Sequence, residues 1–87
     1  MYIGKIVGFV VATRKDENLE GKKLLIVQRI NVREEEEGRT EVAVDAMGAG
    51  TGEIVLVSNG SAAKSAFTDG DSTIDAAIVG IIDSLEV

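Results

Sequence analysis

The stretch YIGKIVGFVVAT, residues 2–13, decides the fold class. Alternate side chains of an extended chain point to opposite faces, which here separates large apolar residues from small ones. The large apolar side chains on one face are Ile3, Val7, Phe9 and Val11. The small residues on the opposite face are Gly4, Gly8 and Ala12. Glycines inside a strand mark sharp bends or close backbone approach, as at the corners of small barrels, so the stretch predicts a barrel strand with one thin face.

Four further segments have the composition of strands. Residues 24–32 (LLIVQRINV) and residues 41–46 alternate apolar and polar side chains. Residues 53–58 (EIVLVS) and 75–83 (DAAIVGIID) are apolar on both faces and rich in β-branched residues, so they are expected to be buried strands. Five short strands predict an all-β fold, a small five-stranded barrel of the oligonucleotide/oligosaccharide-binding (OB) type.

Two polar segments complete this reading. Residues 59–67 offer Ser61 as the N-cap of one short helical turn through residues 62–64. Residues 33–40, REEEEGRT, contain four consecutive glutamates, which repel one another and favour a solvated loop or hairpin tip. Consecutive carboxylates of an extended segment point in different directions and do not form a metal cage. We therefore expect residues 34–37 to project into solvent.

The segment DAMGAGTGE, residues 45–53, has three glycines in five positions. A dinucleotide fingerprint needs G-x-G-x-x-G between a strand and a helix, whereas these glycines follow G-x-G-x-G and precede a strand. A phosphate loop needs lysine after its last glycine, where this chain has Glu53. The segment is therefore interpreted as a tight structural loop whose glycines permit positive φ or close backbone approach. Its flanking residues Asp45 and Glu53 either brace backbone N–H groups or form an acid–base pair.

The composition excludes most hydrolytic chemistry. The chain has no cysteine and no histidine, which removes thiolate and imidazole metal ligands, the cysteine nucleophile and the usual general base. We therefore expect a protein that is not an enzyme and that holds no cofactor and no metal. A formal charge of −6 and three aromatic residues oppose nucleic-acid binding. The short apolar runs predict no membrane span and, without a basic leader, a cytoplasmic protein.

The length favours association between copies. A chain of 87 residues forms one domain, residues 1–87, in which roughly 60% of the unfolded chain's surface is buried on folding. No disulfide reinforces so small a core. Contacts with other copies are the expected source of additional stability.

Three segments carry a resemblance to a known family. They are IGKIVGFVVATRKDENLEGKKLLIVQ (residues 3–28), VDAMGAGTGEIVLVSNGSAAK (residues 44–64) and IDAAIVGIID (residues 74–83). Together they resemble the vertex proteins of bacterial microcompartments, the EutN/CcmL type. The resemblance implies a small structural barrel without known catalysis, which forms homopentamers at the five-fold corners of a polyhedral shell in the cytoplasm. It also implies hexameric shell proteins as partners. One departure is Ile74, where related sequences often have proline.

A ring of five needs a heterologous interface, in which two different patches of each subunit meet. Two segments are hypothesised to supply oligomer or pore contacts. They are the glycine loop (Gly48, Ala49, Gly50, Thr51, Gly52), near the five-fold axis, and the last strand (Ile78, Val79, Gly80, Ile81, Ile82). If the loops line a central opening, their exposed N–H groups would make it tolerant of anions.

Four basic residues are hypothesised to contact the hexameric shell proteins: Arg14, Lys15, Lys22 and Lys23. The alternative for these residues is a set of solvated charges flanking a loop. The alternative function for the whole chain is an OB-type module that binds single-stranded nucleic acid or another small ligand. A third hypothesis is an enzyme that uses Asp45, Glu53 or Asp75 as acid or base.

Overall fold

The computed structural model describes residues 1–13, 15, 17–60, 63 and 74–87. Its strands are β1 Tyr2–Val10, β2 Lys23–Ile30, β3 Glu36–Asp45, β4 Ile54–Asn59 and β5 Ala76–Ile82. A 3-10 turn at Glu17–Leu19 lies between β1 and β2. The strands form one closed barrel in the order β1-β2-β3-β5-β4. The prediction of an all-β, five-stranded barrel is confirmed.

The barrel is closed by one short parallel seam. Every other neighbouring pair of strands is antiparallel. The parallel pair β3 and β5 meets only where Val44 lies opposite Ala77 and Asp45 lies opposite Ile78. Parallel pairing is slightly less stable per residue than antiparallel pairing, and this ladder is also the shortest in the barrel. The seam therefore depends on side-chain packing around it.

The barrel interior is filled by small and medium apolar side chains. Its buried residues are Ile6, Leu25, Val27, Ala43, Ala49, Val55, Val57, Ala76 and Ile78. Tyr2 and Ile81 are partly buried and pack against this set. None of these buried residues is aromatic, which suits the narrow interior of a five-stranded barrel.

Gly4 allows β1 to approach β2 closely. A Cβ atom at this position would overlap Cγ1 of Val27 and lie 3.3 Å from the carbonyl oxygen of Gln28. The obstructing atoms belong to a fully buried side chain and to the backbone, so neither can move away easily. The predicted close approach on the thin face of β1 is confirmed at this residue.

A β-bulge between Ile6 and Gly8 changes the face that the second half of β1 presents. Ile6 lies opposite the buried Val27, whereas Gly8 lies opposite the half-buried Ile26 on the outer face. The extra residue of a bulge shifts the alternation by one position. The prediction that Gly4 and Gly8 share one face is therefore wrong.

A second apolar cluster lies on the outside of the barrel. Its buried members are Val44, Ala63, Ile74 and Ala77, and Leu19, Leu24 and Val79 pack against them. The cluster covers the outer side of the short β3–β5 seam, since Val44 and Ala77 are the paired residues there. Ile74 is 1% exposed and belongs to this cluster, two residues before the start of β5.

The hairpin between β2 and β3 turns earlier than predicted. Oδ1 of Asn31 accepts hydrogen bonds from the N–H groups of Arg33 (2.9 Å) and Glu35 (3.1 Å), which places the turn at residues 31–35. β3 therefore begins at Glu36 instead of residue 41, so residues 36–40 are strand and not loop. The prediction of solvent exposure for residues 34–37 is nevertheless confirmed.

The predicted helical turn falls at the edge of the described structure. Residues 61, 62 and 64 lie outside the described residues, and Ala63 is a buried helical residue. Among the described residues, no helix has the length and apolar character needed to cross a membrane.

Candidate functional site

The glycine loop, residues 45–53, is held by the carboxylate of Asp45. Oδ1 of Asp45 accepts hydrogen bonds from the N–H groups of Met47 (2.8 Å) and Gly48 (3.1 Å). Its Oδ2 accepts a third hydrogen bond from the N–H of Ala49 at 2.8 Å. Asp45 is the last residue of β3, so the barrel fixes the position of the carboxylate around which the loop folds. Hydrogen bonds to an ionised acceptor are roughly twice as strong as neutral ones.

Glu53 braces the other half of the loop. Its Oε1 accepts a hydrogen bond from the N–H of Gly50 at 2.7 Å, and its own N–H donates to the carbonyl of Gly50 at 3.1 Å. Gly48 and Gly52 have φ values of 80° and 93°, a region in which side chains other than glycine are strained. Two of the three glycines are therefore required by the backbone conformation.

The loop closes one end of the barrel. The N–H of Gly52 donates to the carbonyl of Ile6 at 2.8 Å, and the N–H of Ile6 donates to the carbonyl of Glu53 at 3.0 Å. Ala49 is fully buried and belongs to the interior cluster. Nζ of Lys23 donates to the carbonyl of Ala49 at 3.3 Å. The loop thus covers this end of the barrel, and hydrogen bonds join it to β1 and β2 in addition to the two strands that it connects.

These contacts decide between the hypotheses for Asp45 and Glu53. Both carboxylates brace the loop, so the bracing interpretation is confirmed for them. The N–H groups expected to face an opening are instead occupied at Met47, Gly48, Ala49 and Gly50. The N–H groups of Gly48, Ala49, Gly50 and Gly52 donate within the chain, so the expected exposed donors are not found at these four residues. That the loops line a central opening stays a prediction.

The last strand distributes its five predicted contact residues between different environments. Ile78 is fully buried in the barrel interior, and Ile81 packs against the interior cluster. Val79 packs against the outer cluster. Gly80 and Ile82 are half-buried and lie on the outer face, opposite Leu56 and Ile54 respectively. Of the five residues, Ile78 has no exposed surface in a single chain, whereas Val79, Gly80, Ile81 and Ile82 are partly exposed.

An apolar surface covers the outside of β1, β4 and β5. Two rows of paired residues cross these strands, Ile3 with Leu56 and Gly80, and Lys5 with Ile54 and Ile82. Apart from Lys5, these side chains are apolar and half-buried. We call the surface formed by Ile3, Ile54, Leu56, Gly80 and Ile82 the outer β4–β5 face. The only sequence signal for this surface is that residues 53–58 and 75–83 are apolar on both faces.

The end of β1 leaves an aromatic side chain uncovered. Phe9 lies opposite Leu25, so both project to the inner side of the sheet, yet Phe9 is 62% exposed and Leu25 is 2% exposed. The cause is the start of β4 at Ile54, which lies opposite Lys5. In the described part of the chain, β1 pairs only with β2 beyond this point. We call the uncovered edge at residues 7–10 the β1 gap.

The structure describes three of the four basic residues predicted to contact other shell proteins. Arg14 lies outside the described residues. Nζ of Lys15 donates to the carbonyl of Ala12 at 2.8 Å and lies 3.9 Å from a carboxylate oxygen of Glu20. Lys22 is half-buried, and Lys23 is exposed and holds the glycine loop. Lys15 and Lys23 thus have contacts within the chain as well as exposed surface.

The opposite end of the barrel carries a side-chain cluster that the sequence did not indicate. The hydroxyl of Tyr2 donates to Oε1 of Glu41, which also accepts from Nδ2 of Asn59 at 3.3 Å. The guanidinium of Arg29 lies 4.9 Å from the centre of the Tyr2 ring. Burial, followed by the hydrogen bond to Glu41, raises the pKa of Tyr2 well above its usual value. We call Tyr2, Arg29, Glu41 and Asn59 the tyrosine end.

A shallow groove of about 360 Å³ opens at the tyrosine end. Its lining residues are Tyr2, Arg29, Glu37, Gly38, Arg39, Thr40 and Glu41. The two arginines are matched by two glutamates, so the groove has no charge excess that would attract one class of ion. Within the described residues, no group of three acidic or other metal-binding side chains converges on a point.

The chain matches one protein-family model over residues 1–83, described as ethanolamine utilisation protein EutN/carboxysome. It is 51% identical to the bacterial microcompartment shell vertex protein GrpN of Rhodospirillum rubrum, covering 99% of this chain and 97% of that protein. It is 45% identical to the shell vertex protein PduN of Salmonella typhimurium, covering 98% of each chain.

Solved structures agree with these similarities. The GrpN pentameric microcompartment shell protein from Rhodospirillum rubrum superposes with a TM-score of 0.90 at 50% identity, with both chains covered completely. A carboxysome subunit, CcmL, superposes with a TM-score of 0.93 at 47% identity, covering 100% of this chain and 91% of that one. The backbone similarity therefore extends over the whole barrel.

Proposed function

This chain belongs to the EutN/CcmL family of microcompartment shell vertex proteins, and we propose that five copies form a ring that caps a five-fold vertex of a polyhedral bacterial microcompartment shell. The observation that carries the proposal is the full-length similarity to a pentameric shell protein. The role is structural. The two carboxylates beside the glycine loop accept hydrogen bonds from backbone N–H groups, which supports a bracing role for them.

The physical properties of the chain support a ring. A single copy has a small interior of aliphatic side chains and leaves the outer β4–β5 face and the β1 gap partly uncovered. Each copy carries a formal charge of −6, so association must overcome repulsion between like-charged subunits. Burial of apolar surface is the contribution that opposes this repulsion.

We place the ring contacts on the last strand and the glycine loop. Val79, Gly80 and Ile82 offer outer surface to a neighbour, while Ile78 and Ile81 hold the strand in place from the inside. The exposed residues of the loop, Gly48, Thr51 and Gly52, lie toward the five-fold axis in this proposal. Because the loop carboxylates satisfy most of its N–H groups, its surface at the axis is small and polar without free donors at those positions.

The hexameric proteins that tile the flat faces of such shells are the proposed further partners. Arg14, Lys15, Lys22 and Lys23 are the proposed contacts, because they precede and follow the turn that joins β1 to β2. Lys15 and Lys23 can keep their backbone acceptors, since an ammonium group has three donors.

The mass of the assembled protein tests the ring. Native mass spectrometry of the purified chain should give a species of five times the 9.2 kDa chain mass. Gly50→Trp should disturb the ring if the loops meet at the axis, whereas Arg33→Trp, at an exposed residue of the hairpin turn, is the control. A chain that remains monomeric would overturn the proposed function, and a normal pentamer of Gly50→Trp would overturn the placement of the loop.

Co-assembly tests the shell partners. Lys15→Gln should reduce incorporation of the pentamer into shells formed with a hexameric shell protein, measured by co-sedimentation of assembled shells. Arg33→Gln, which removes an equal charge from the hairpin turn, should not. Equal incorporation of both variants would exclude Lys15 from this contact.

A further inference from the structure

We propose that the ring closes by seating Phe9 of one protomer against Gly80 on the outer β4–β5 face of the next protomer. The inference rests on the proposed pentamer and specifies which two patches meet. It follows from two features that a single chain leaves unexplained, an exposed aromatic ring on the inner side of a sheet and a glycine with ordinary φ inside a strand.

The first feature is the environment of Phe9. Its register partner, Leu25, is buried in the barrel, and the sheet directs both side chains to the same side. Phe9 nevertheless remains 62% exposed, because β4 stops short of the β1 gap. Large aromatic side chains contribute much of the energy at protein interfaces when they enter a water-excluding pocket. The gap therefore lacks a cover of the kind that a neighbouring copy provides.

The second feature is Gly80. Its φ is not positive, so its own backbone conformation does not require glycine. Glycine within a strand is unfavourable for stability and often marks a bulge or a place where another chain approaches closely. The pairing of β4 with β5 shifts register between Gly80 and Ile78, so Gly80 lies beside such an irregularity. A Cβ atom at Gly80 would touch Cβ of Leu56 at 3.6 Å and meet no other described atom within 4 Å. Gly80 is thus a notch in the apolar outer β4–β5 face.

A second copy is the occupant that fits both features. The side chain of Phe9 lies at the edge of β1 and the notch at Gly80 lies on the outside of β5, so one chain presents two different patches. A contact between unlike patches is heterologous and forms a ring when the rotation closes, as a pentamer requires. Both patches are apolar. Because each chain carries a formal charge of −6, the subunits repel one another, and burial of apolar surface is the contribution that favours association.

Two single variants and their mixture test the pairing. Phe9→Ser removes the aromatic ring and leaves the notch at Gly80 intact. Gly80→Val fills the notch and leaves the ring of Phe9 intact. We expect each variant alone to raise the concentration at which the pentamer dissociates by about 30-fold per contact, the effect of an interface hot spot. Val11→Ser, at an apolar residue beyond β1 that is even more exposed than Phe9, is the control and should leave the pentamer unchanged.

The mixture separates a heterologous contact from every other arrangement. One protomer of Phe9→Ser and one of Gly80→Val retain a single intact contact between them, so mixing should yield a heterodimer that neither variant forms alone. Native mass spectrometry distinguishes the two variants by mass. Circular dichroism checks that each is folded, and Ile82→Ser replaces Gly80→Val as the variant of the outer β4–β5 face if valine disturbs the barrel.

The outcomes distinguish the inference from the function on which it rests. A wild-type chain that is not a pentamer would overturn the proposed function. A wild-type pentamer together with an unaffected pentamer of Phe9→Ser would overturn the inference alone. Loss of the ring in both folded variants without a heterodimer on mixing would show that the two patches do not meet each other.

Discussion

The two ends of the barrel are closed by different kinds of interaction. At the glycine-loop end, Asp45 and Glu53 accept hydrogen bonds from backbone N–H groups two to four residues away, and Ala49 fills the opening. At the tyrosine end, side chains from four strands contact one another, centred on Tyr2 and Glu41. The first closure is local in sequence and the second is not. One small barrel is thus closed by hydrogen bonds to the backbone at one end and by contacts between side chains at the other.

Removing the Asp45 carboxylate should have the largest effect on the glycine-loop end. Asp45→Ala leaves the N–H groups of Met47, Gly48 and Ala49 without their shared acceptor, and we expect a loss of about 3 kcal/mol in the free energy of unfolding. Urea unfolding at a fixed protomer concentration measures it, because association also contributes to stability. Asp45→Asn retains one acceptor oxygen and should lose less. Equal losses for the two variants would contradict the bracing role.

The next largest effect on stability is expected from the backbone conformation of the glycine loop. Gly52→Ala forces a side chain into a φ of 93° and should cost about 1 kcal/mol. Gly50→Ala is the matched control, because the φ of Gly50 is not positive and a Cβ atom there would lie at an ordinary 3.6 Å from Oε1 of Glu53. Thermal unfolding should separate the two variants. An equal effect at both positions would mean that space, and not φ, governs this loop.

The tyrosine end should respond to alkali in a way that the glycine-loop end does not. The pKa of Tyr2 is raised above the unfolded value of 10.0, chiefly by burial and then by Glu41. The neutral hydroxyl is therefore favoured in the folded state, and its contribution is complete below pH 10 and lost as the pH rises above this value.

Tyr2→Phe tests this contribution directly. The variant should lose about 1 kcal/mol at neutral pH, the net value of one hydrogen bond. It should also show a smaller fall in stability above pH 10 than the wild type, measured by urea unfolding across the alkaline range. Parallel pH profiles for the two proteins would show that Tyr2 does not titrate with folding.

The hairpin beside the tyrosine end should give the smallest effect, of opposite sign. Glu34 has a φ of 64°, which is unfavourable for a residue other than glycine. Glu34→Gly should therefore stabilise the protein by about 0.5–1 kcal/mol. Glu37→Gly lies within β3 at ordinary φ and should not stabilise it. A melting temperature that rises for both variants would point to relief of charge repulsion instead of backbone strain.

The sequence predicted well where the structure depends on neighbouring residues. The five strands and the tight loop between Asp45 and Glu53 follow from alternation, composition and glycine spacing. It predicted poorly where one residue shifts a pattern, as the bulge after Ile6 does to the faces of β1. It also misplaced the start of β3, because the Asn31 side chain, and not the run of glutamates, sets the turn.

The sequence alone predicted the strand content, the tight glycine loop and the resemblance to the family, since each depends on residues close together or on an ordered series of motifs. The tertiary structure alone decided that Tyr2 meets Glu41, that Phe9 is left uncovered and that Gly80 forms a notch. These features depend on which strands are neighbours and where each one ends. Neither property can be read from one strand, because strand pairing joins residues that are far apart in the chain.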